Sequence, residues 1–584
     1  MKKLLLTLMA CLLLQAPAVA QQSRLQKQGT ATQLLVDGRP YLILGGELGN
    51  SSATCEADIE RFFPKLERMG LNTVLVPAYW DLIEPVEGEF DFSLTDKVLQ
   101  QARTNHLKVI FLWFGAWKNS MSCYTPAWFK QNYRKYPRSQ AESGKPLEIA
   151  SVFSPNVLEA DNRAFTRWMK HLAEADKEHG TVLMIQIENE IGMLESARDH
   201  SSLADKAFFS PVPEKFLSYL RKNKKQLHPT MLQKWEGQGC RTSGTWSEVF
   251  GADIYTDEIF MAYHYAGYVE HLAQSARAIY NVPLYVNAAM NSRNRKPGEY
   301  PSAGPLAHLI DAWHCGAPSI DILAPDLYDN GFADWVSRYH LPNNPLFIPE
   351  VKLTDNDGVR AYYIFAEHDA IGISPFSIED GSDKADNTLV RAYRHLHQLT
   401  PLLVRHQGRG VMKGLLFDQQ QRERIIEWDN QVLTCRHFFT LPWDPRATDG
   451  STWPEGGGFI LKLDKHEYLI AGNGIVVEFA DKNEKQMAES VKPLGEDGFA
   501  LVGHGQMEKT EKVGDASSPS SRKQVNSKVR KRLGLASVEE VEVLPDGTFH
   551  RLRTLNGDQT HQGRHVRISV GDFKALHVRL YEYE

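Results

Sequence analysis

At 584 residues the chain is long enough for more than one domain, and 66 Lys and Arg set against 72 Asp and Glu leave a net charge of −6. With a pI near 6.4, that balance gives no reason to expect a nucleic-acid partner. Aromatic residues make up 10% of the chain, 12 of them Trp. Flat rings suit the apolar C–H faces of sugars, although most such rings in any protein are core.

Taken in chain order, Lys2 and Lys3 precede an apolar run from Leu4 to Leu14, and Ala18-Val19-Ala20 follows as a small-x-small site. This is the pattern of a secretory signal peptide over residues 1–20, with cleavage after Ala20 and a periplasmic or secreted mature protein beginning at Gln21. The run is shorter than the ~20 residues a span needs, so no stable membrane insertion is expected. Beyond Cys11, five widely spaced cysteines remain (Cys55, Cys123, Cys240, Cys315 and Cys435), which implies neither a disulfide framework nor a zinc site.

From residue 21 to about 400, short apolar runs alternate with helical stretches: Tyr41–Gly45, Thr73–Pro77, Val109–Phe114, Val182–Ile187, Leu284–Asn287, Ile320–Ala324, Leu346–Pro349 and Ile371–Phe376. Eight strands alternating with helices predict an α/β fold, a (β/α)8 TIM barrel. Between the first two, Ile59, Phe62, Phe63, Leu66 and Met69 recur at helical spacing and Gly70 ends the stretch. The segment from Ile191 to Asn281 exceeds one crossover, even with a helix over Thr256–Tyr280, and predicts an insertion at the barrel rim.

Over residues 401–584 the pattern turns to short strands separated by Gly, Asn and Asp: Gly457–Leu463, Tyr468–Ala471, Gly474–Phe479 and Leu576–Tyr581. A C-terminal β-sandwich accessory domain is expected. Asp515–Arg532, rich in Ser, Lys and Arg, reads as a surface loop.

Two of the barrel runs end in acids. Val182–Ile187 leads into Glu188-Asn189-Glu190, and Leu346–Pro349 leads into Glu350. Barrel chemistry happens at the C-terminal rim of the strands, so acids far apart in sequence can converge there. A facing pair of carboxylates is the minimum equipment for cleaving a glycosidic bond. Strand periodicity alone does not decide between Glu188 and Glu190, which lie two positions apart.

The stretch Gly70–Val74 through Tyr79-Trp80-Asp81-Leu82-Ile83-Glu84-Pro85 to Phe92 resembles the second-strand signature of glycoside hydrolase family 35, the β-galactosidases. Gln186-Ile187-Glu188-Asn189-Glu190 is similar to that family's acid/base motif, and Leu42–Ser52 resembles the opening of a bacterial branch that also resembles family 42. The likeness runs over residues 35–400. It implies a retaining exo-β-galactosidase, with Glu190 as general acid/base and Glu350 as nucleophile.

The same resemblance implies that Asn189 bonds the sugar 2-OH and that Tyr328 bonds the nucleophile. Tyr79, Trp80, Trp117 and Trp313 become candidate sugar platforms, and Glu47 and Glu379, at the mouths of the first and eighth strands, candidate hydroxyl binders. Glu84 is expected to be structural. Ile83 and Leu112–Trp117 depart from the commoner family pattern, so the sugar-binding walls should differ.

The expected substrate is a terminal β-galactose on an oligo- or polysaccharide side chain such as xyloglucan. An endo-β-glycanase of the same clan and a carbohydrate-binding protein without catalysis are the alternatives. No cofactor and no metal is implied, and no oligomeric state.

Overall fold

The computed structural model describes residues 22–290, 293–482 and 532–584. The signal-peptide reading over residues 1–20 and nearly all of the Asp515–Arg532 loop lie outside them. The chain forms two compact units that part between Gly410 and Val411. The last helix of the first unit, Thr388–His406, runs across position 400.

The first unit is a closed barrel of eight parallel strands: Ile43–Glu47, Thr73–Tyr79, Lys108–Lys118, Val182–Asn189, Leu284–Ala289, Ile322–Leu327, Ile348–Val351 and Gly372–Pro375. Every residue of the second, fourth, sixth, seventh and eighth strands is buried, which is why these segments read as unbroken apolar runs rather than alternating ones. A three-stranded antiparallel sheet (Arg24–Gln28, Ala31–Val36, Arg39–Tyr41) precedes the barrel. The Ser23 hydroxyl just before it donates to the carbonyl of Leu183, near the N-terminal end of the fourth strand.

Strand registry positions the site. Asp326 and Glu350 are partners across the sixth and seventh strands, so both side chains leave the sheet on the same side. Lys118 and Asn189 are partners across the third and fourth.

The long segment after the fourth strand holds four helices (Ser202–Phe208, Glu214–Asn223, Pro229–Glu236 and Trp246–Phe250) before the crossover helix Ile254–Arg277. Asp253 caps that last helix, its carboxylate accepting from the Tyr255 and Thr256 amides.

The second unit contains a six-stranded and a four-stranded antiparallel sheet. Leu415, Ile460, Ile470 and Leu576 from the first sheet share one apolar core with Leu433, Val477 and Val566 from the second, the arrangement of a β-sandwich. The five cysteines among the described residues are unbridged, with Cys55 and Cys123 exposed and Cys315 and Cys435 buried. Among the described residues no helix is long and apolar enough to cross a membrane.

Candidate active site

The fourth strand ends irregularly. Glu188 and Glu190 both take left-handed φ, 59° and 48°, a conformation that costs a non-glycine residue roughly 1–3 kcal/mol and gathers at functional sites. The twist breaks the two-residue alternation and sends the two acids to different environments.

Glu188 turns into the wall. One of its oxygens accepts the Trp117 amide at 2.7 Å, and its carboxyl meets Asp161, which also accepts from Trp113 Nε1 (2.9 Å) and the Tyr268 hydroxyl (2.7 Å). Burial and the Asp161 charge hold the Glu188 carboxyl well above the usual range. Both acids are fully buried, and Glu188 Oε1 has no donor.

Glu190 turns into the barrel mouth. Its amide donates to Asn287 Oδ1 on the fifth strand at 2.9 Å. There Glu190, Asp326 and Glu350 each bring a carboxylate oxygen within 4.8 Å of the other two. Burial first, and the Glu350 charge second, push Glu190 up to about 7. Tyr328 donates its hydroxyl to Glu350 Oε1, and Glu350 Oε2 has no partner.

Two further groups complete the cluster. Lys118, buried at the end of the third strand, donates to Asn189 Oδ1 at 2.8 Å and lies 3.9 Å from Glu190 Oε2. Glu47, buried at the end of the first strand, has no donor on either oxygen. Burial and the facing Glu350 charge hold it well above the usual carboxylate range. The acids are as close as ligands of one cation would be, but the Lys118 ammonium supplies the positive charge here.

The sequence-derived candidates divide. Glu47, Asn189, Glu190, Tyr328 and Glu350 converge at the barrel mouth, and Asn189 Nδ2 is buried without a partner there. Glu379 instead braces the loop after the first strand, accepting from the Gly49 amide at 2.9 Å and from the Ser52 hydroxyl. A Cβ at Gly49 would stand 2.8 Å from that carboxylate oxygen and would press Glu379 aside.

The expected aromatic platforms need correction. Trp80 is fully buried, its Nε1 on Glu84 at 2.8 Å and its ring against Trp128 and Phe129. Trp117 is fully buried between Tyr265 and Tyr268 edges. Tyr79 is buried against Phe114 and Tyr124, and Trp313 is buried with its Nε1 on the Ala303 carbonyl. Side chains at strand ends were expected to face the sugar, but these pack between the barrel and its helices and offer no open ring face.

Beside Glu350, the aromatic surface comes from Tyr328, which is 46% exposed, and half-buried Phe376, their ring centroids 6.4 Å apart. Glu84 is structural as expected, accepting from Trp80, the Gly88 amide and Arg163.

Sequence reasoning missed Asp326, Asn287, Lys118 and Phe376. Asp326 carried a signal, a charged residue inside the otherwise apolar Ile322–Leu327 run. The other three carried none that distinguishes them from ordinary strand-end residues.

Residues 51–243 match the sequence profile of the β-galactosidases of glycoside hydrolase family 42. Residues 389–567 match a domain of unknown function, DUF5597. Among curated proteins, a β-galactosidase from Xanthomonas manihotis is 30% identical over 211 residues, 34% of this chain and 32% of that protein. Mouse β-galactosidase-1-like protein 3 is 25% identical over 180 residues, 30% of this chain and 25% of that protein. The chain thus spans a third or less of the length of these relatives. Of the solved structures, a β-galactosidase from Marinomonas ef1 aligns with a TM-score of 0.42 at 14% identity, over 62% of this chain and 60% of that one.

Proposed function

We propose that this chain is a retaining exo-β-galactosidase that removes terminal β-galactose by double displacement, with Glu190 as general acid/base and Glu350 as nucleophile. The observation that carries the reading is the approach of Glu190 and Glu350 carboxylate oxygens to within 4.8 Å across the barrel mouth. Double displacement works with carboxyl groups ~5–5.5 Å apart, whereas single-step inversion needs ~6.5–9.5 Å to admit a water.

In the first half-reaction Glu190, protonated below about pH 7, gives its proton to the leaving oxygen. Glu350 attacks the anomeric carbon from the opposite face, forming an α-galactosyl ester as the glycosidic bond breaks. Esterification removes the Glu350 charge, one of the two causes that raise the Glu190 pKa. Glu190 then holds a proton less tightly and takes one from the incoming water, which attacks the ester carbon and releases β-galactose and free Glu350.

The Tyr328 hydroxyl orients Glu350 for attack. Lys118 fixes the Asn189 amide by its oxygen, leaving Nδ2 free to donate to the sugar 2-OH. The four-helix segment inserted after the fourth strand favours a closed pocket and hence action at chain ends. Side chains such as those of xyloglucan, met by an exported enzyme, are the substrate class the motif resemblance favours.

The test is hydrolysis of a panel of aryl glycosides, with the product anomer read by NMR. β-Galactose as the first-formed product is expected. First-formed α-galactose, or turnover of glucosides or mannosides in preference, would overturn the assignment.

A further inference from the structure

The barrel mouth holds four carboxyl groups, of which Glu47, Asp326 and Glu350 are buried and Glu190 nearly so, and one buried cation among the described residues, Lys118. Tyr285, Tyr328 and Tyr339 face the same acids and are neutral phenols. Double displacement uses a proton on Glu190 and a charge on Glu350, and Lys118 balances that charge. Nothing remains to balance an ionised Glu47 or Asp326, and an uncompensated buried carboxylate takes up a proton instead.

The contacts agree with the charge count. Glu47 is buried facing Glu350, and no donor group reaches either Glu47 oxygen. Asp326 likewise meets Glu190, while its Oδ2 accepts from Asn287 Nδ2 at 2.7 Å and its Oδ1 has no donor. Two carboxyl oxygens make a hydrogen bond only when one carries the proton. The Asn287 bond holds the acceptor oxygen of Asp326 away and leaves Oδ1 to carry that proton.

We propose that Glu47 and Asp326 are protonated at neutral pH and act as positioning residues, the Glu47 O–H donating to the Glu350 nucleophile and the Asp326 O–H donating to Glu190. The inference rests on the glycosidase reading for its role and on geometry for its protonation. Glu47 steadies the charged nucleophile before attack. Asp326 steadies Glu190 in its charged form, when it serves as base, together with Lys118. Both proton counts stay fixed through the cycle.

The experiment is difference infrared spectroscopy of the full chain against E47Q and D326N at neutral pH, with kcat/KM measured against pH on an aryl β-galactoside. Each substitution is expected to remove one protonated-carboxyl C=O band and no carboxylate band. Whatever rate the variants keep, the alkaline limb should move by well under one unit, because no charge has been lost. Removing an ionised carboxylate this close would drop that limb by ~1–3 units.

Loss of a carboxylate band, or a limb displaced downward by a unit or more, overturns the proposal. So does failure of both variants to fold, since an amide is nearly isosteric with a protonated carboxyl. If each substitution removes its protonated band but the wild type hydrolyses no glycoside, the glycosidase reading falls and the protonation stands.

Discussion

Glu188 and Glu190, two residues apart at the end of one strand, enter two different acid clusters. Around Glu188 and Asp161 three of the four oxygens are filled: the Trp117 amide, the Trp113 indole and the Tyr268 hydroxyl supply donors, and Glu188 Oε1 alone lacks one. Glu190 with Glu350 is open: Glu350 Oε2, Asp326 Oδ1 and both Glu47 oxygens lack donors, although all are buried. Burial raises the pKa in both places. The two places differ in how many buried acceptors stay open, one against four, and unfilled buried acceptors are costly and persist where a ligand will use them.

The comparison breaks most readily at Glu350. E350A is expected to lower kcat by about 10⁴-fold or more while the chain stays folded, and azide should restore turnover with α-galactosyl azide as product. Product of the β configuration would assign the nucleophile elsewhere. E190A should lose ~10²–10⁴-fold, more on poor leaving groups than on activated aryl ones, and azide should there give the β-azide. Equal losses on both kinds of leaving group would remove Glu190 from the acid role.

Smaller effects sharpen the contrast. Y328F removes a hydrogen bond to a charged nucleophile, worth ~1.5–3 kcal/mol, and should lower kcat/KM by roughly 10–100-fold with little change in thermal unfolding. E188A should do the opposite, destabilising the barrel unit by ~1–3 kcal/mol in denaturant titration through the stranded Trp117 amide and Asp161, whereas its folded fraction keeps the wild-type pH profile. A displaced profile would join Glu188 to the reactive cluster.

The pH profile follows from the Glu190 shift. The acid must be protonated to act, burial and Glu350 raise its pKa to about 7, and so kcat/KM should fall as pH rises through that value. In E350Q one cause of the shift is gone, and NMR titration of Glu190 should show a lower pKa. An unchanged value would mean that burial alone sets it.

Much of the barrel was legible in the residues. Each of the eight apolar runs overlaps a strand of the closed barrel, since a strand buried on both faces has few polar positions to confuse with loop. The sandwich was less so. Gly456–Asp464, Glu467–Asn473, Ile475–Asp481 and Lys574–Tyr583 were anticipated, but Met412–Phe417, Glu423–Trp428, Gln431–His437, Arg532–Val543, Phe549–Leu555 and His565–Ile568 were not. Glu423–Trp428 and Phe549–Leu555 have mostly exposed or half-exposed residues, and without a buried face no alternation betrays them. The aromatic platforms failed for a related reason, because being at a strand end fixes height in the barrel and not which side the ring takes.

The sequence by itself determined the barrel, the rim position of Glu190 and Glu350, and the structural place of Glu84, because these follow from local hydrophobic pattern and motif. Periodicity left Glu188 and Glu190 open and the motif resemblance pointed to Glu190; how Glu190 and not Glu188 enters the mouth is a matter of tertiary structure, through two left-handed residues no periodicity predicts. Tertiary structure alone gathered Glu47, Lys118, Asn287 and Asp326 around the pair, since residues from five different strands become neighbours only when the sheet closes on itself with its particular register.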